Sequence, residues 1–531
     1  MKIIAAVAVL LAQTQTVPLS EVIDVRLHNV DVIVTDAKGN HVPGLRIEDF
    51  ELLENGTPQE ITNFAEYSDS ASAVSSSSEP PTPGLQPLTP QPRKFVLFID
   101  EMNLHPTTRA KFAGSVGEMF NRALRDGDEA MVVRPAEAEK LALEFTSDRA
   151  AIRAAIAKAM QASVFRANSP KETEDRLFER EIEGSGGSAL QVARRYATRA
   201  ERRVAQRLAN LRAVVAALAE SPGRKIIVMV TESIPAQPGR EFFIRLPSRL
   251  EAATFDAPAD HLRADYLDLS PVITEIARIA SSKGITIYCL QPEYARLSAP
   301  GSVETKHDRP GYGGYDTLRV FDQLDNSEQT MKALTETTGG KWFRGDTRVD
   351  DAFRQVTLDV QSYYSLAYHG VGAVDEPRKL AVRVKNHPEL HVRTRGEVIR
   401  KSPRRELSDR VVASLLYPPS HNALGIAARV SGTDLDVLVP IGNLTFTQDR
   451  GVHRASFTVH YAIFGERTDF VSGVEPEQVV EIPDAKWESA RLQPWTHTLH
   501  FNVRKGPHRL AVGVLDSTSQ EWGIDAVTLS R

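Results

Sequence analysis

Between Lys94 and Leu104 the chain reads KFVLFIDEMNL, and this stretch limits the folds open to everything around it. The unbroken apolar run from Phe95 to Ile99 suits a strand covered on both faces, as in the middle of a parallel sheet, because a half-exposed strand would alternate. Asp100 falls at that strand's carboxyl end, the edge where open α/β sheets leave a crevice for ligands. Pro106 follows, and Phe112, Val116, Met119 and Leu124 then recur at helical spacing, with proline tolerated in a first turn. The unit is strand, acidic turn, helix.

The same unit recurs downstream. Glu129 to Ala136, Lys140 to Phe145, Lys225 to Thr231, Gly284 to Leu290 and Lys341 to Phe343 read as further strands. Helices are predicted over Asp148 to Met160, Ser188 to Glu220, Val272 to Lys283, Glu328 to Thr337 and Val349 to Gln361. Strands alternating with helices imply an α/β fold, a doubly wound Rossmann-type sheet over residues 94–361. The long helix has apolar positions at Tyr196, Val204, Leu208, Leu211, Val215 and Leu218. It also carries Arg194, Arg195, Arg199, Arg202, Arg203 and Arg207, which with Glu201 among them read as a solvated face, not a nucleic-acid surface. A net charge of −5 gives no general pull toward nucleic acid or anionic membrane.

A chain of 531 residues exceeds one core, so several domains are expected. Residues 1–16 open with MKIIAAVAVLLA, one lysine and then an apolar run too short to span a bilayer but suited to a secretory signal. Export to the periplasm or the outside is the expectation, with no transmembrane segment after cleavage near Gln13 to Val17. The alternative for this stretch is a buried N-terminal strand. The single cysteine, Cys289, lies within an apolar strand, so no intrachain disulfide forms and core burial carries stability.

Residues 17–67 alternate around Asp36-Ala-Lys-Gly39 and Asn55-Gly56, hairpin signals of a small N-terminal β unit that packs on its neighbours. Residues 68–93 are a Ser/Pro-rich linker. Within the sheet domain, Ser163 to Gly187 is a polar insertion, and Pro235 to Pro271 and Pro292 to Ser327 are irregular insertions leaving at the same edge as Asp100. Loops that long inside a compact domain are usually functional or disordered. Residues 362–399 return to period two as a β extension packed on the N-terminal unit or the sheet domain, and a basic stretch, Arg400 to Arg405, marks the last boundary. Residues 400–531 alternate over six strands, an immunoglobulin-like β-sandwich.

A first strand ending in FID, a fourth ending in RKIIVMVTES and a last helix preceded by LTETTGGKWF together resemble the von Willebrand factor A domain. With VDVIVTDAKGNHVPGLRIEDFELLENGTPQEITNF before them and QSYYSLAYHG after, the pattern from Val22 to Arg395 resembles the secreted VWFA-related family described mainly from acidobacteria. The resemblance implies a protein-binding or adhesion-type module whose partner is a protein or cell-envelope macromolecule.

In A domains a divalent ion sits on the sheet edge, held by Asp-x-Ser-x-Ser, a threonine and a later aspartate, because Mg2+ wants hard oxygens in a near-octahedral array. This sequence keeps Asp100 but has Met102 and Leu104 in place of the two hydroxyls, Ser188 at the threonine position and Glu232 for the later aspartate. Asp100, Asn103, Ser188 and Glu232 are the candidate ligands, with Glu101 and Ser233 as nearby oxygens. A set so degenerate implies no cofactor, or at most weak Mg2+. No nucleophile elbow, phosphate loop or His-Glu-x-x-His motif occurs. The enzyme alternative is a hydrolase using Asp100 and Glu101 as a split acid pair, with no nucleophile or oxyanion donor to accompany them. His387 and His391 are four apart around Pro388 in a strand-like pattern and are expected to be surface histidines.

Overall fold

The computed structural model describes residues 26–68, 92–100, 104, 106–134, 141–160, 170–184, 189–219, 223–244, 267–291, 313–344, 349–370, 374–415, 419, 421–431, 434–465, 468–501 and 508–529. Residues 1–25, which include the expected signal, and most of the Ser/Pro-rich linker lie outside them. The protein is a mixed α/β chain of several sheets.

Strands β1 (Arg26–Thr35), β2 (Phe50–Glu54), β3 (Thr57–Gln59) and β4 (Ile61–Tyr67) come first. The Asn55-Gly56 turn between β2 and β3 has positive φ at both residues, 50° and 82°, the twist a two-residue hairpin needs.

The sheet domain follows with β5 (Lys94–Ile99), α1 (Pro106–Ala123), β6 (Glu129–Val133), β7 (Leu141–Thr146), α2 (Arg149–Met160), α3 (Pro170–Gly184), α4 (Ala189–Ala219) and β8 (Lys225–Val230). It continues through α5 (Arg240–Ile244), α6 (Ser270–Ser282), β9 (Ile285–Leu290), α7 (Gly313–Thr338), β10 (Trp342–Phe343) and α8 (Val349–Gln361). The six strands run in the order β10-β9-β8-β5-β6-β7. All neighbours are parallel except β7, which returns antiparallel on β6.

The apolar run of β5 divides between two cores. Phe95, Leu97 and Ile99 pack with Val116 and Phe120 of α1, Ile156 of α2 and Phe353 of α8. Val96 and Phe98 pack with Val204 and Leu208 of α4, Ile276 of α6 and Leu334 of α7. Helices therefore cover both faces, which is why the strand had no polar alternate positions to show.

One insertion gains structure here, and one expectation is corrected. The polar insertion Ser163 to Gly187 contains α3, whose Phe178 and Ile182 pack against Tyr196 and Ala200 of α4. The insertion Pro292 to Ser327 is helical from Gly313 onward, which extends the helix predicted from Glu328 by four turns. An amphipathic helix such as α3 and an irregular loop can share the same polar composition.

The chain then returns through β11 (Tyr363–Gly370), β12 (Pro377–Val384), β13 (His391–Thr394) and β14 (Glu397–Ile399). These strands and β1–β4 build one sandwich from sheets β13-β1-β11-β4 and β14-β12-β2-β3. Its core holds Val30, Val32, Phe50, Leu52, Tyr364, Leu366 and Val382. The sheet domain is thus inserted between adjacent antiparallel strands. Tyr67 pairs with Tyr363 where the chain leaves and returns, and their rings stack at 4.8 Å.

The insertion point lies at the amino edge of the central sheet, sealed by buried charges. Arg224, one residue before β8, pairs with Asp31 at 3.0 Å, lies 3.9 Å over the Tyr363 ring and donates to the carbonyl oxygens of Val360 and Asp359. Arg93 bonds Asp128 and the Val360 carbonyl oxygen. Burial pushes the Tyr363 phenol up to about 12. Close to this junction the Thr-Gly-Gly segment does steric work. A Cβ on Gly340 would lie 1.9 Å from the Ile287 carbonyl oxygen, and one on Gly339, whose φ is +76°, would lie 2.6 Å from Thr394.

Helix α9 (Pro403–Ala413), capped by Ser402, carries the chain onward. The basic stretch read as a boundary is therefore this helix's start. Beyond it are β15 (Ala427–Ser431), β16 (Asp434–Pro440), β17 (Thr447–Asp449), β18 (Val452–Gly465), β19 (Thr468–Val474), β20 (Gln478–Pro483), α10 (Asp484–Ala490), β21 (Pro494–His500), β22 (His508–Asp516) and β23 (Trp522–Leu529). Sheets β15-β16-β21 and β17-β18-β22-β23 face each other over Val437, Phe457, Val459, Val512 and Val514. The outer face of β18 and β22 takes α9 through Leu407, Val411, Ala462, Ala511 and Leu515, and Ala209 of α4 packs on the same cluster. No helix among the described residues is long and apolar enough to cross a membrane.

Candidate functional site

The carboxyl edge of the central sheet is where the sequence placed its candidates. Asp100 follows β5 and Thr231 follows β8, and both are fully buried. The Asp100 amide donates to the Val230 carbonyl oxygen at 2.9 Å, so the edge of the two strands stays paired past the last strand residue. Asp100 Oδ2 accepts from Thr231 Oγ1 at 2.8 Å and from Arg207 Nη1 at 2.7 Å. The same Nη1 donates to the Ser233 carbonyl oxygen at 3.1 Å.

Arg207 is 8% exposed, which corrects its assignment to the solvated face of α4. The buried stripe of that helix includes Ala200, Val204, Arg207, Leu208 and Leu211, spaced three and four apart, so position 207 points at the sheet. Its aliphatic stem crosses the apolar layer and delivers the guanidinium to the carboxylate. That spacing is present in the sequence but is obscured by the six other arginines of the helix. Those on the outer face behave as expected of solvated charges: Arg195 pairs with Glu181 and Arg203 with Glu174, both on α3.

The neighbouring polar groups form a closed lattice. Gln291 Nε2 donates to the Glu232 carbonyl oxygen at 2.7 Å, and its Oε1 accepts from Trp342 Nε1 at 3.0 Å, linking β8, β9 and β10. Asn326 on α7 bonds the backbone of Gln237 in both directions, at 2.7 and 2.9 Å. The hydroxyls of Ser233 and Ser327 share a hydrogen bond.

Of the four candidate metal ligands, Asp100 and Glu232 fall within the described residues, while Asn103 and Ser188 lie outside them, as do Glu101 and Met102. Leu104 is fully buried in the core beneath α1 and α8, so its side chain belongs to packing and not to the edge. The described half of that donor set does not suit a divalent ion. Such an ion needs several hard oxygens fixed in advance, and the one carboxylate at the strand end already bonds a guanidinium and a hydroxyl. Among the described residues no three His, Cys, Asp or Glu side chains converge. His387 bonds Glu389 at 2.9 Å in a turn, its side chain 49% exposed, while His391 opens β13.

The sequence matches no family model and no curated protein. Among solved structures it is similar to an aerotolerance-related membrane protein from Bacteroides fragilis, at 11% identity and a TM-score of 0.23 over 51% of this chain and 98% of that one. It is also similar to the pilus adhesin SpaC from Lactobacillus rhamnosus GG, at 8% identity and a TM-score of 0.28 over 94% of this chain and 57% of that one. A third is the group of three N-terminal domains of the type V pilus tip protein Mfa5 from Porphyromonas gingivalis, at 8% identity and a TM-score of 0.26 over 96% and 77%.

Proposed function

We propose that the chain is an exported, non-catalytic binding protein of the VWFA-related type, holding a protein or cell-envelope macromolecule at the carboxyl edge of its central sheet. One observation carries the reading: the amino edge is closed by the sandwich the sheet domain is inserted into, which leaves the carboxyl edge as the working end. Both long insertions, 235–271 and 292–327, leave from that end, after β8 and β9. The A-type sheet and the immunoglobulin-like C-terminal sandwich belong to this proposal, as does metal-independent binding. Catalysis by Asp100 is disfavoured because its carboxylate is fully buried and bonded by Arg207 and Thr231. Nucleic acid is disfavoured because two arginines of α4, Arg195 and Arg203, are paired with glutamates of α3 and the net charge of the chain is −5.

The test is capture from cell-envelope and secreted fractions by the immobilised full chain, by a variant lacking 292–312, and by both in EDTA. Retention of the same partner by the full chain in EDTA, lost in a deletion variant of unchanged Tm, is the expected outcome. Turnover of esters, glycosides or peptides that disappears with Asp100→Ala would replace the binding reading with the hydrolase one.

A further inference from the structure

The residues at the end of β5 have recruited a cation of their own. A divalent ion at Asp100 would draw on the carboxylate and the Thr231 hydroxyl, since hard ions take oxygen ligands at roughly 2.0–2.6 Å. The Thr231 hydroxyl donates a hydrogen bond to Asp100 Oδ2, and the same oxygen accepts from Arg207 Nη1 at 2.7 Å. A guanidinium carries only donors and a permanent charge, so it and a metal ion compete for one place. We infer that Arg207 is the resident cation of this edge: a tethered positive charge that takes over the cross-linking a divalent ion performs and makes the edge independent of metal.

The connections made by that single nitrogen are those expected of a coordinating centre. Arg207 Nη1 joins α4 to the residue ending β5 and to the Ser233 carbonyl oxygen beyond β8. Ser233 extends the link through its hydroxyl to Ser327 on α7. Four segments separated in sequence are held by one charge. Two residues along α4, Ala209 packs against α9 and the C-terminal sandwich, so the same helix that neutralises Asp100 also docks the last domain. The inference rests on geometry alone and stands whatever the partner is.

Loss of the guanidinium with Asp100 retained strands a buried carboxylate beside a hydroxyl, an arrangement a metal ion relieves. Thermal unfolding of the full chain is compared with Arg207→Gln, Asp100→Asn and the double variant, each in EDTA and in millimolar Mn2+. The wild-type Tm is expected to be equal in both. Arg207→Gln is expected to melt several degrees lower in EDTA and to recover part of the loss with Mn2+, while the double variant, with no stranded charge, melts above Arg207→Gln and ignores Mn2+. A wild-type Tm that rises with Mn2+, or an Arg207→Gln variant that melts with the wild type, would overturn the inference. If Arg207→Gln fails to fold, a folded double variant supports it, and failure of the double variant beside a folded Asp100→Asn overturns it.

Discussion

Acid should loosen the C-terminal sandwich through one histidine. His460 sits mid-strand in β18, fully buried, with Nδ1 2.8 Å from Ser408 Oγ on α9 and Nε2 3.0 Å from Thr458 Oγ1. A neutral imidazole donates at one nitrogen and accepts at the other, and the two hydroxyls complement either tautomer. Burial, and secondarily the positive charge of Arg404, holds its pKa down to about 4 against an ordinary value of 6.5. In the unfolded chain the ring takes its proton near pH 6.5, whereas the folded protein resists until about 4. The unfolded state therefore binds more protons inside that window. The stabilisation is complete above it and is lost as pH falls through it. At about 1.4 kcal/mol per pH unit, the gap caps the loss at roughly 3 kcal/mol. Urea unfolding followed by tryptophan emission reads this domain, because Trp487, Trp495 and Trp522, three of the chain's four tryptophans, lie in it. His460→Gln keeps a donor and an acceptor without a titrating ring. Between neutral pH and pH 4 the wild type should lose roughly 3 kcal/mol more than His460→Gln. Parallel slopes for the two proteins would refute the reasoning.

Gly340→Ala places a methyl group 1.9 Å from the Ile287 carbonyl oxygen. It should cost at least about 3 kcal/mol, because backbone lines the space, and should lower the Tm of the sheet domain by calorimetry. Arg224→Met removes the charge that joins the sheet domain to Asp31 and to the carbonyl oxygens of Val360 and Asp359. A loss of about 3 kcal/mol is expected, with the N-terminal sandwich melting as a separate calorimetric transition. Asp100→Ala leaves Arg207 buried without its carboxylate and should cost about 3 to 5 kcal/mol by urea unfolding, with Mg2+ adding nothing back.

Much of the fold was legible because its determinants are local. The parallel strands announced themselves by runs with no polar alternation, and Val349–Gln361 was bounded correctly by its spacing. The pairing partners of β1–β4 were not legible: period two says that a strand has a buried face and not which strand covers it. The sequence left 362–399 to pack on the N-terminal unit or on the sheet domain, and the pairing of β1–β4 with β11–β14 selects the first. At the candidate site, Asp100 was found from its place after an apolar strand, but its partner was hidden in a run of arginines. Composition counted Arg207 among solvated charges, and only its phase with Val204, Leu208 and Leu211 distinguishes it. In sequence Leu104 stands out for the hydroxyl it lacks, and its positive role as a buried core residue appears only in the fold.

The insertion of the sheet domain between β4 and β11 sets a timetable for the chain. Tyr364 Oη of β11 receives the Leu45 amide at 3.1 Å across 319 residues of sequence, and Thr394 reaches the Asp31 carbonyl oxygen across 363. Closing loops that long is slow unless the intervening chain has already condensed, and the parallel sheet domain supplies that condensation by bringing Tyr67 and Tyr363 together. Until then β1 and β4 present unpaired edges, the state most open to aggregation. Strands β1 and β4 are thus made before the sheet domain yet find β11 and β13 only after it, and a protein built this way depends on being kept from misassembly while the intervening domain is completed.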